Sequence, residues 1–125
     1  MNLDDSVAVV TGGTTEVGRV VGRQLARPGA RVFITGRSAP DHKPLEERVA
    51  GVRCDHRVDI QVKAAFNLIL REASAIDILV NNVGGGYEGM VEDDNVTWTK
   101  PFWNQPLWRW DAMFNAGVPA HYQTR

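Results

Sequence analysis

The sequence has little cysteine, no basic excess and no long apolar run, and each shortage excludes a class of protein. Cys54 is the only cysteine among the 125 residues, so an intramolecular disulfide, a Cys-x-x-Cys redox motif and paired zinc thiolates are excluded. The 14 basic and 15 acidic side chains leave a net charge of −1, which argues against a nucleic-acid-binding protein. No run approaches the roughly 18 apolar residues of a membrane span. We therefore expect a cytoplasmic protein whose partner is a small molecule or another protein.

Metal binding and secretion are also not indicated by the sequence. The three histidines, His42, His56 and His121, form no pair at helical metal-ligand spacing, so we expect no metal site. The first residues include two acids and no basic residue ahead of the apolar stretch, so we expect no secretory signal.

Short apolar runs alternate with longer stretches of helical periodicity, which is typical of βαβ units and a parallel sheet. The runs at residues 6–11, 31–35, 51–54 and 75–82 are predicted strands. The first predicted helix ends near Ala26, because Pro28 disfavours helix at the residue before it. Residues 45–50 are predicted to form one or two helical turns, and apolar residues from Val58 to Ala73 mark one face of a longer helix.

The rest of the chain is predicted to contain an irregular segment and one more helix. Residues 84–106 hold four glycines, an acidic run and two tryptophans, so we expect an irregular Trp-containing loop. Helical pattern resumes at Pro106 and continues at least to Gly117. The length fits a single domain over residues 1–125.

The stretch Val9–Gly18 joins a strand, a glycine turn and a helix, an arrangement that binds nucleotide pyrophosphates. Gly12 would allow the sharp turn, free N–H groups at the start of the helix would face an anion, and Gly18 would allow close packing. The alternative is an ordinary strand-to-helix turn.

The end of the second strand bears on which dinucleotide would bind. An acid there would bond the 2′-hydroxyl of NAD, whereas an arginine accommodates the 2′-phosphate of NADP. Gly36 and Arg37 occupy this place, so NADP (NADPH) is favoured over NAD. The alternative is that Arg37 is only a solvated loop charge.

Four motifs in order resemble those of the short-chain dehydrogenase/reductase family: TGGTTEVG, TGR after the second strand, CD after the third and NNVG after the fourth. The resemblance implies a Rossmann-like three-layer α/β/α fold. The chain would supply the N-terminal half of a doubly wound parallel sheet, with strand order 3-2-1-4. Residues 1–125 would thus be a single, partial dinucleotide-binding domain.

The resemblance also implies roles for individual residues. The glycine-turn residues would line the pyrophosphate and the adenosine ribose, Arg37 the 2′-phosphate, and Asp55 with the backbone of His56 the adenine, while the NNVG residues would lie along the ribose near the nicotinamide. The cofactor-binding set is then Gly12, Thr14, Thr15, Val17, Gly18, Arg37, Asp55, His56, Asn82, Val83 and Gly84. Asn115 would be the catalytic-site asparagine that supports a proton-relay water.

The sequence departs from the family pattern in two respects, and both affect the function that we expect. Glu16 stands where the family has the middle glycine of T-G-x-x-x-G-x-G, and its negative charge would weaken phosphate binding. The family's serine and Tyr-x-x-x-Lys are absent, because neither Tyr87 nor Tyr122 is followed by a lysine four residues later. We therefore expect the 125 residues by themselves to bind cofactor weakly and to transfer no hydride.

Three function hypotheses follow. The first is an NADP(H)-dependent short-chain dehydrogenase/reductase that acts on a small carbonyl or alcohol substrate. The alternative is a truncated, inactive relic that binds a dinucleotide or a protein partner. The third is a purely structural interaction protein, which would use the Trp-containing loop and the apolar edge of the fourth strand; a partner such as a second copy in a homo-oligomer would cover that edge.

Several single residues allow either a functional or a purely structural interpretation. The tryptophans could stack on a planar ligand, but Trp108 is predicted to be core, while Trp98 and Trp103 are predicted to pin a loop. We expect His56 to be a surface or hydrogen-bonded residue, and a role as a general base is the less favoured alternative. Cys54 is read as a small buried side chain.

Overall fold

Four parallel strands form the centre of the fold in the predicted order. The structure, a computed structural model, describes residues 2–14, 16–40, 44–85, 91–92 and 94–124, with only the backbone of Glu16, Glu92 and Gln123. The strands are β1 (Val7–Thr11), β2 (Arg31–Gly36), β3 (Pro44–Glu46), β4 (Val49–Arg53), β5 (Ile78–Val80), β6 (Val91–Glu92) and β7 (Asn95–Val96). The helices are α1 (Glu16–Ala26), α2 (Asp59–Ala73) and α3 (Leu107–Gln123), with a 3₁₀ turn at Phe102–Asn104.

The main sheet has the order β3-β4-β2-β1-β5. Its four parallel strands, β4-β2-β1-β5, reproduce the expected order 3-2-1-4. In register, Val9 of β1 lies between Phe33 of β2 and Leu79 of β5. Every residue of β1 is buried, as a strand covered on both faces should be.

Helices cover the two faces of this sheet. On one face Val62 and Ile69 of α2 pack with Val9 and Phe33. On the other face Val21 and Leu25 of α1 pack against a cluster from β1 and β2 that includes Ile34. This arrangement is the predicted Rossmann-like three-layer α/β/α fold.

One predicted element is wrong. Residues 45–50 are not helical: β3 runs antiparallel to β4 as an edge strand, and the turn between them passes through Arg48 at φ 62°. A helix of one or two turns is marginal, because nucleation is costly for so few hydrogen bonds. Pairing with the open edge of β4 satisfies more backbone groups, and Arg23 of α1 secures β3 through hydrogen bonds to the Glu46 carboxylate (Nε to Oε1 2.8 Å).

The chain after β5 ends in the longest helix of the structure. Residues 91–96 include the antiparallel pair β6–β7, and α3 begins at Leu107 close to the predicted start. The helix continues past Gly117 and contains Pro119. Within the described part of the chain, no helix combines the length and apolarity needed to cross a membrane.

Candidate functional site

A cleft of about 790 Å³ opens at the carboxyl edge of the parallel strands. Its walls are the glycine turn after β1, the ends of β2 and β4, the loop after β5 and one side of α3. Every residue predicted to bind the cofactor lines it, except Gly18, which lies behind the turn, and Thr15, which is outside the described residues. Ligands of open α/β sheets bind at this edge.

The glycine turn is shaped by close backbone approaches. Gly12 has φ +66°, and a Cβ there would lie 2.8 Å from the Cα of Val83. A Cβ on Gly18 would lie 2.6 Å from the Gly12 carbonyl oxygen. Both positions therefore require glycine, and the start of α1 can approach the turn closely.

The turn is tied to the loop after β5 by hydrogen bonds. The side-chain amide of Asn82 donates to the carbonyl oxygens of Thr11 and Gly12, both at 3.2 Å. The backbone N–H groups of Asn82 and Val83 donate to Thr11 Oγ1 at 3.1 and 3.2 Å. Thr11 begins the TGGTTEVG motif but is not in the predicted cofactor-binding set, because the motif does not show which backbone groups its hydroxyl would bond.

At the end of β2 the side chain of Thr14 packs against Gly36. A Cβ there would lie 2.6 Å from Thr14 Oγ1, so the threonine occupies that space. Arg37 follows, exposed and lining the cleft. In dinucleotide-binding folds, an arginine near the end of this strand accommodates a 2′-phosphate.

Asp55 lines the cleft and forms an ion pair with Arg57. The Arg57 guanidinium donates from one terminal nitrogen to Asp55 Oδ2 at 2.7 Å and from Nε to Oδ1 at 3.0 Å. These bonds lower the pKa of the Asp55 carboxyl to about 2, with a smaller contribution from the charge of Arg37. The carboxylate is therefore ionised and fixed in orientation at neutral pH.

His56 is buried and bonded to the end of β2. Its Nε2 lies 2.7 Å from Thr35 Oγ1, while Nδ1 is buried and meets no hydrogen-bond partner among the described residues. Burial is the main reason that the pKa of His56 falls to about 4, so the ring is neutral at pH 7. His56 is therefore a buried, hydrogen-bonded residue, and its ring is not exposed as that of a general base would be.

Cys54 is buried in the core, as predicted. Burial, with a smaller effect of the neighbouring Asp55 charge, raises the pKa of its thiol to about 11. A thiol that stays protonated at neutral pH is a poor nucleophile.

The far wall of the cleft is formed by Trp108, Ala112 and Ala116 of α3. Trp108 was predicted to be core, and this is wrong, because its side chain is 45% exposed. Trp108 shares a stripe of α3 with Ala112 and Ala116, and this stripe faces the cleft. The C-terminal end of α3 docks on the loop after β5, where His121 Nε2 lies 2.9 Å from the Val83 carbonyl oxygen.

Asn115 lies on α3 beside this stripe. Its side chain is exposed and is not among the residues that line the cleft. Pro119, four residues later, has no N–H to donate to the Asn115 carbonyl, so that oxygen lacks its usual intrahelical donor.

Comparisons with known proteins agree with this geometry. The family model described as short chain dehydrogenase matches residues 6–124. Dehydrogenase/reductase SDR family member 1 of Mus musculus is 36% identical over 93% of this chain and 38% of its own length. The 3-oxoacyl-[acyl-carrier-protein] reductase FabG of Aquifex aeolicus is 29% identical over 94% of this chain and 46% of its own length. The chain thus spans less than half the length of these relatives.

A solved structure supports the fold independently. The ligand-free aldohexose dehydrogenase of Thermoplasma acidophilum superposes with a TM-score of 0.73 at 24% identity, covering 98% of this chain and 42% of the other. Since the family match extends over nearly all of the residues that build the sheet and the cleft, the chain belongs to the short-chain dehydrogenase/reductase family.

Proposed function

We propose that the chain is the NADP(H)-binding part of an oxidoreductase that passes hydride between the nicotinamide and a small carbonyl or alcohol. The observation that carries the proposal is the continuous cleft that runs from Arg37, past the glycine turn at Gly12, to the loop after β5. A family that uses nicotinamide dinucleotides and a cleft with the required glycines favour the same ligand class.

The preference for the phosphorylated cofactor is supported by the end of β2. Thr14 fills the space beside Gly36, and Arg37 offers a guanidinium at the rim. A phosphate accepts charge-assisted hydrogen bonds from such a group. Asp55, held by Arg57, leaves a fixed acceptor for an adenine amino group.

The chemistry would divide between cofactor and chain. The bound cofactor would supply or accept the hydride. The chain would orient the cofactor, because the N–H groups of the glycine turn would face the pyrophosphate. The backbone carbonyl of Asn115, which Pro119 leaves without a helix donor, would accept a hydrogen bond from a relay water. We also propose a cytoplasmic setting, because a chain whose only cysteine, Cys54, is a free and buried thiol fits a reducing compartment.

Calorimetric titration with NADPH and NADH tests the proposal. We expect NADPH to bind more tightly, and Arg37→Leu to weaken NADPH binding by about 10- to 100-fold while changing NADH binding little, since hydrogen bonds to charged groups contribute about 1.5–3 kcal/mol. Arg27→Leu, which removes an exposed arginine outside the cleft, is the control and should change neither affinity. Equal binding of the two cofactors by the unmodified chain would contradict the assignment of NADP.

A second candidate function, protein interaction by a non-catalytic chain, is favoured by one observation. Leu107, Trp110, Phe114 and Val118 follow one face of α3 and are 75%, 67%, 48% and 63% exposed. Apolar patches of this kind mark interaction surfaces. A folded chain that binds neither NADPH nor NADH, but self-associates in sedimentation experiments through this face, would favour the second candidate.

A further inference from the structure

The loop after β5, residues 81–85, forms part of the wall of the cleft. Four of its residues line the cleft: Asn82, Val83, Gly84 and Gly85. The backbone N–H groups of two of them donate to Thr11 at the end of β1. Because residues 81–85 belong to no helix or strand, the position of the loop depends on individual contacts of this kind.

The backbone of Val83 is held by two distant parts of the chain. Its N–H donates to Thr11 Oγ1 at 3.2 Å, and its carbonyl oxygen lies 2.9 Å from His121 Nε2. Because a carbonyl oxygen only accepts hydrogen bonds, Nε2 carries the proton and His121 is the donor. Val83 thus joins the end of β1 to the C-terminal end of α3.

Two further contacts place α3 against both ends of the loop. Thr124 is 4% exposed, and its Oγ1 lies 2.8 Å from Asn81 Oδ1, with the His121 carbonyl oxygen as an alternative acceptor at 2.9 Å. At the other end of the loop, a Cβ on Gly85 would lie 2.5 Å from the Cβ of Ala116. The helix therefore contacts the first, third and last residues of the loop.

The loop is also in close contact with the glycine turn. A Cβ on Gly12 would lie 2.8 Å from the Cα of Val83, and the Asn82 side-chain amide donates to the Gly12 carbonyl oxygen at 3.2 Å. Backbone segments packed this closely do not shift independently. A displaced Val83 would therefore disturb both the wall of the cleft and the turn. A ligand that needs one arrangement of the two binds more weakly when other arrangements are populated.

From these contacts we infer that His121 is a positioning residue for the dinucleotide. It is not among the described residues that line the cleft, so it acts through Val83, whose carbonyl group it holds. The inference rests on the proposed function, because it presupposes that a dinucleotide occupies the cleft. It gives the C-terminal end of α3 a role in cofactor binding that the sequence motifs did not indicate.

Three substitutions of His121 test the hydrogen bond by calorimetric titration with NADPH. His121→Ala removes the donor and should weaken binding by about three- to tenfold, the range of one hydrogen bond. His121→Gln keeps an N–H donor at nearly the reach of Nε2, so it should restore most of the affinity. His121→Asn carries the same amide on a shorter side chain, so it should not restore the affinity.

A matched control separates positioning from a general loss of stability. Ile69 of α2 is fully buried in the core and is not among the described residues that line the cleft. Ile69→Val should lower the free energy of unfolding about as much as the loss of one hydrogen bond does, and should leave the affinity for NADPH unchanged. Urea denaturation of each variant measures its stability and verifies that it is folded.

NMR spectra of the ligand-free chain observe the same link without the cofactor. His121→Ala should shift the backbone amide signals of Val83 and Gly12, because the loop and the glycine turn move together. His121→Gln should return both signals towards their original positions. Ile69→Val should leave both signals in place.

The outcomes separate the two proposals. If the unmodified chain does not bind NADPH, the proposed function fails and this inference falls with it. If the chain binds NADPH and His121→Ala leaves the affinity unchanged, or Ile69→Val weakens binding as much as His121→Ala does, the inference is overturned while the proposed function stands. The inference is also overturned if His121→Gln does not restore the affinity that His121→Ala loses.

Discussion

Gly18→Ala is expected to lower the affinity for NADPH by at least about tenfold and the free energy of unfolding by about 1–3 kcal/mol. The new Cβ would lie 2.6 Å from the Gly12 carbonyl oxygen and 2.6 Å from the Gly13 Cα. Both are backbone atoms, so neither can rotate away as a flexible side chain would. The start of α1 must then move away from the glycine turn, and the N–H groups that would face the pyrophosphate move with it.

Gly117→Ala is the matched control, since a Cβ there meets nothing within 4 Å. Because Gly117 lies inside α3, alanine should raise the free energy of unfolding by about 0.5–1 kcal/mol and leave cofactor affinity unchanged. Urea denaturation and calorimetric titration measure the two effects. Unchanged NADPH binding in Gly18→Ala would contradict the role assigned to the close approach.

Acidification is expected to destabilise the fold through His56. The pKa of this residue falls from 6.5 to about 4 on folding, mainly because the ring is buried, so the unfolded chain takes up the proton first. Its contribution to stability is complete above pH 6.5 and is lost as the pH falls towards about 4. The loss is at most about 3 kcal/mol, at 1.36 kcal/mol for each unit of pKa difference.

A comparison of the free energy of unfolding of the unmodified chain and of His56→Gln, each measured as a function of pH, isolates this contribution. Glutamine does not titrate and can still bond Thr35, so the variant should lose less stability between pH 6.5 and about 4 in urea denaturation. Asp55 acts in a separate window: its pKa is lowered from 3.8 to about 2, so its contribution is present above pH 3.8 and is lost as the pH falls through about 2. Parallel pH profiles for the two proteins would show that His56 is not the titrating group.

The centre of the fold could be predicted because local and tertiary signals agree there. The residues of β1 are apolar and buried on both faces, and Gly12 and Gly18 stand where the backbone demands glycine. The positions around the cleft follow from the order of the strands, since the carboxyl ends of parallel strands share one edge. As the sequence predicted, Arg37, Asp55 and Asn82 all lie at that edge.

Other features depend on long-range contacts that no local pattern encodes. The segment that forms β3 has weak propensity and takes its conformation from the open edge of β4. Trp108 resembled a core residue, because helical spacing shows which residues share a face but not what that face meets. The partners of Arg109, among them Thr97 twelve residues earlier, could not be inferred from periodicity. The Thr35–His56 bond likewise joins two strand ends that are distant in sequence.

The most direct test of the account is a titration of isotope-labelled protein with NADPH, followed by the backbone amide signals in NMR spectra. We predict saturable shifts at the glycine turn, at Arg37 and at Gly84 and Gly85, because these residues lie along one cleft. Signals at the far end of α1, near Arg27, should remain in place. The absence of saturable shifts along the cleft in a folded protein, or shifts confined to surfaces outside it, would contradict the claim that this cleft binds the dinucleotide.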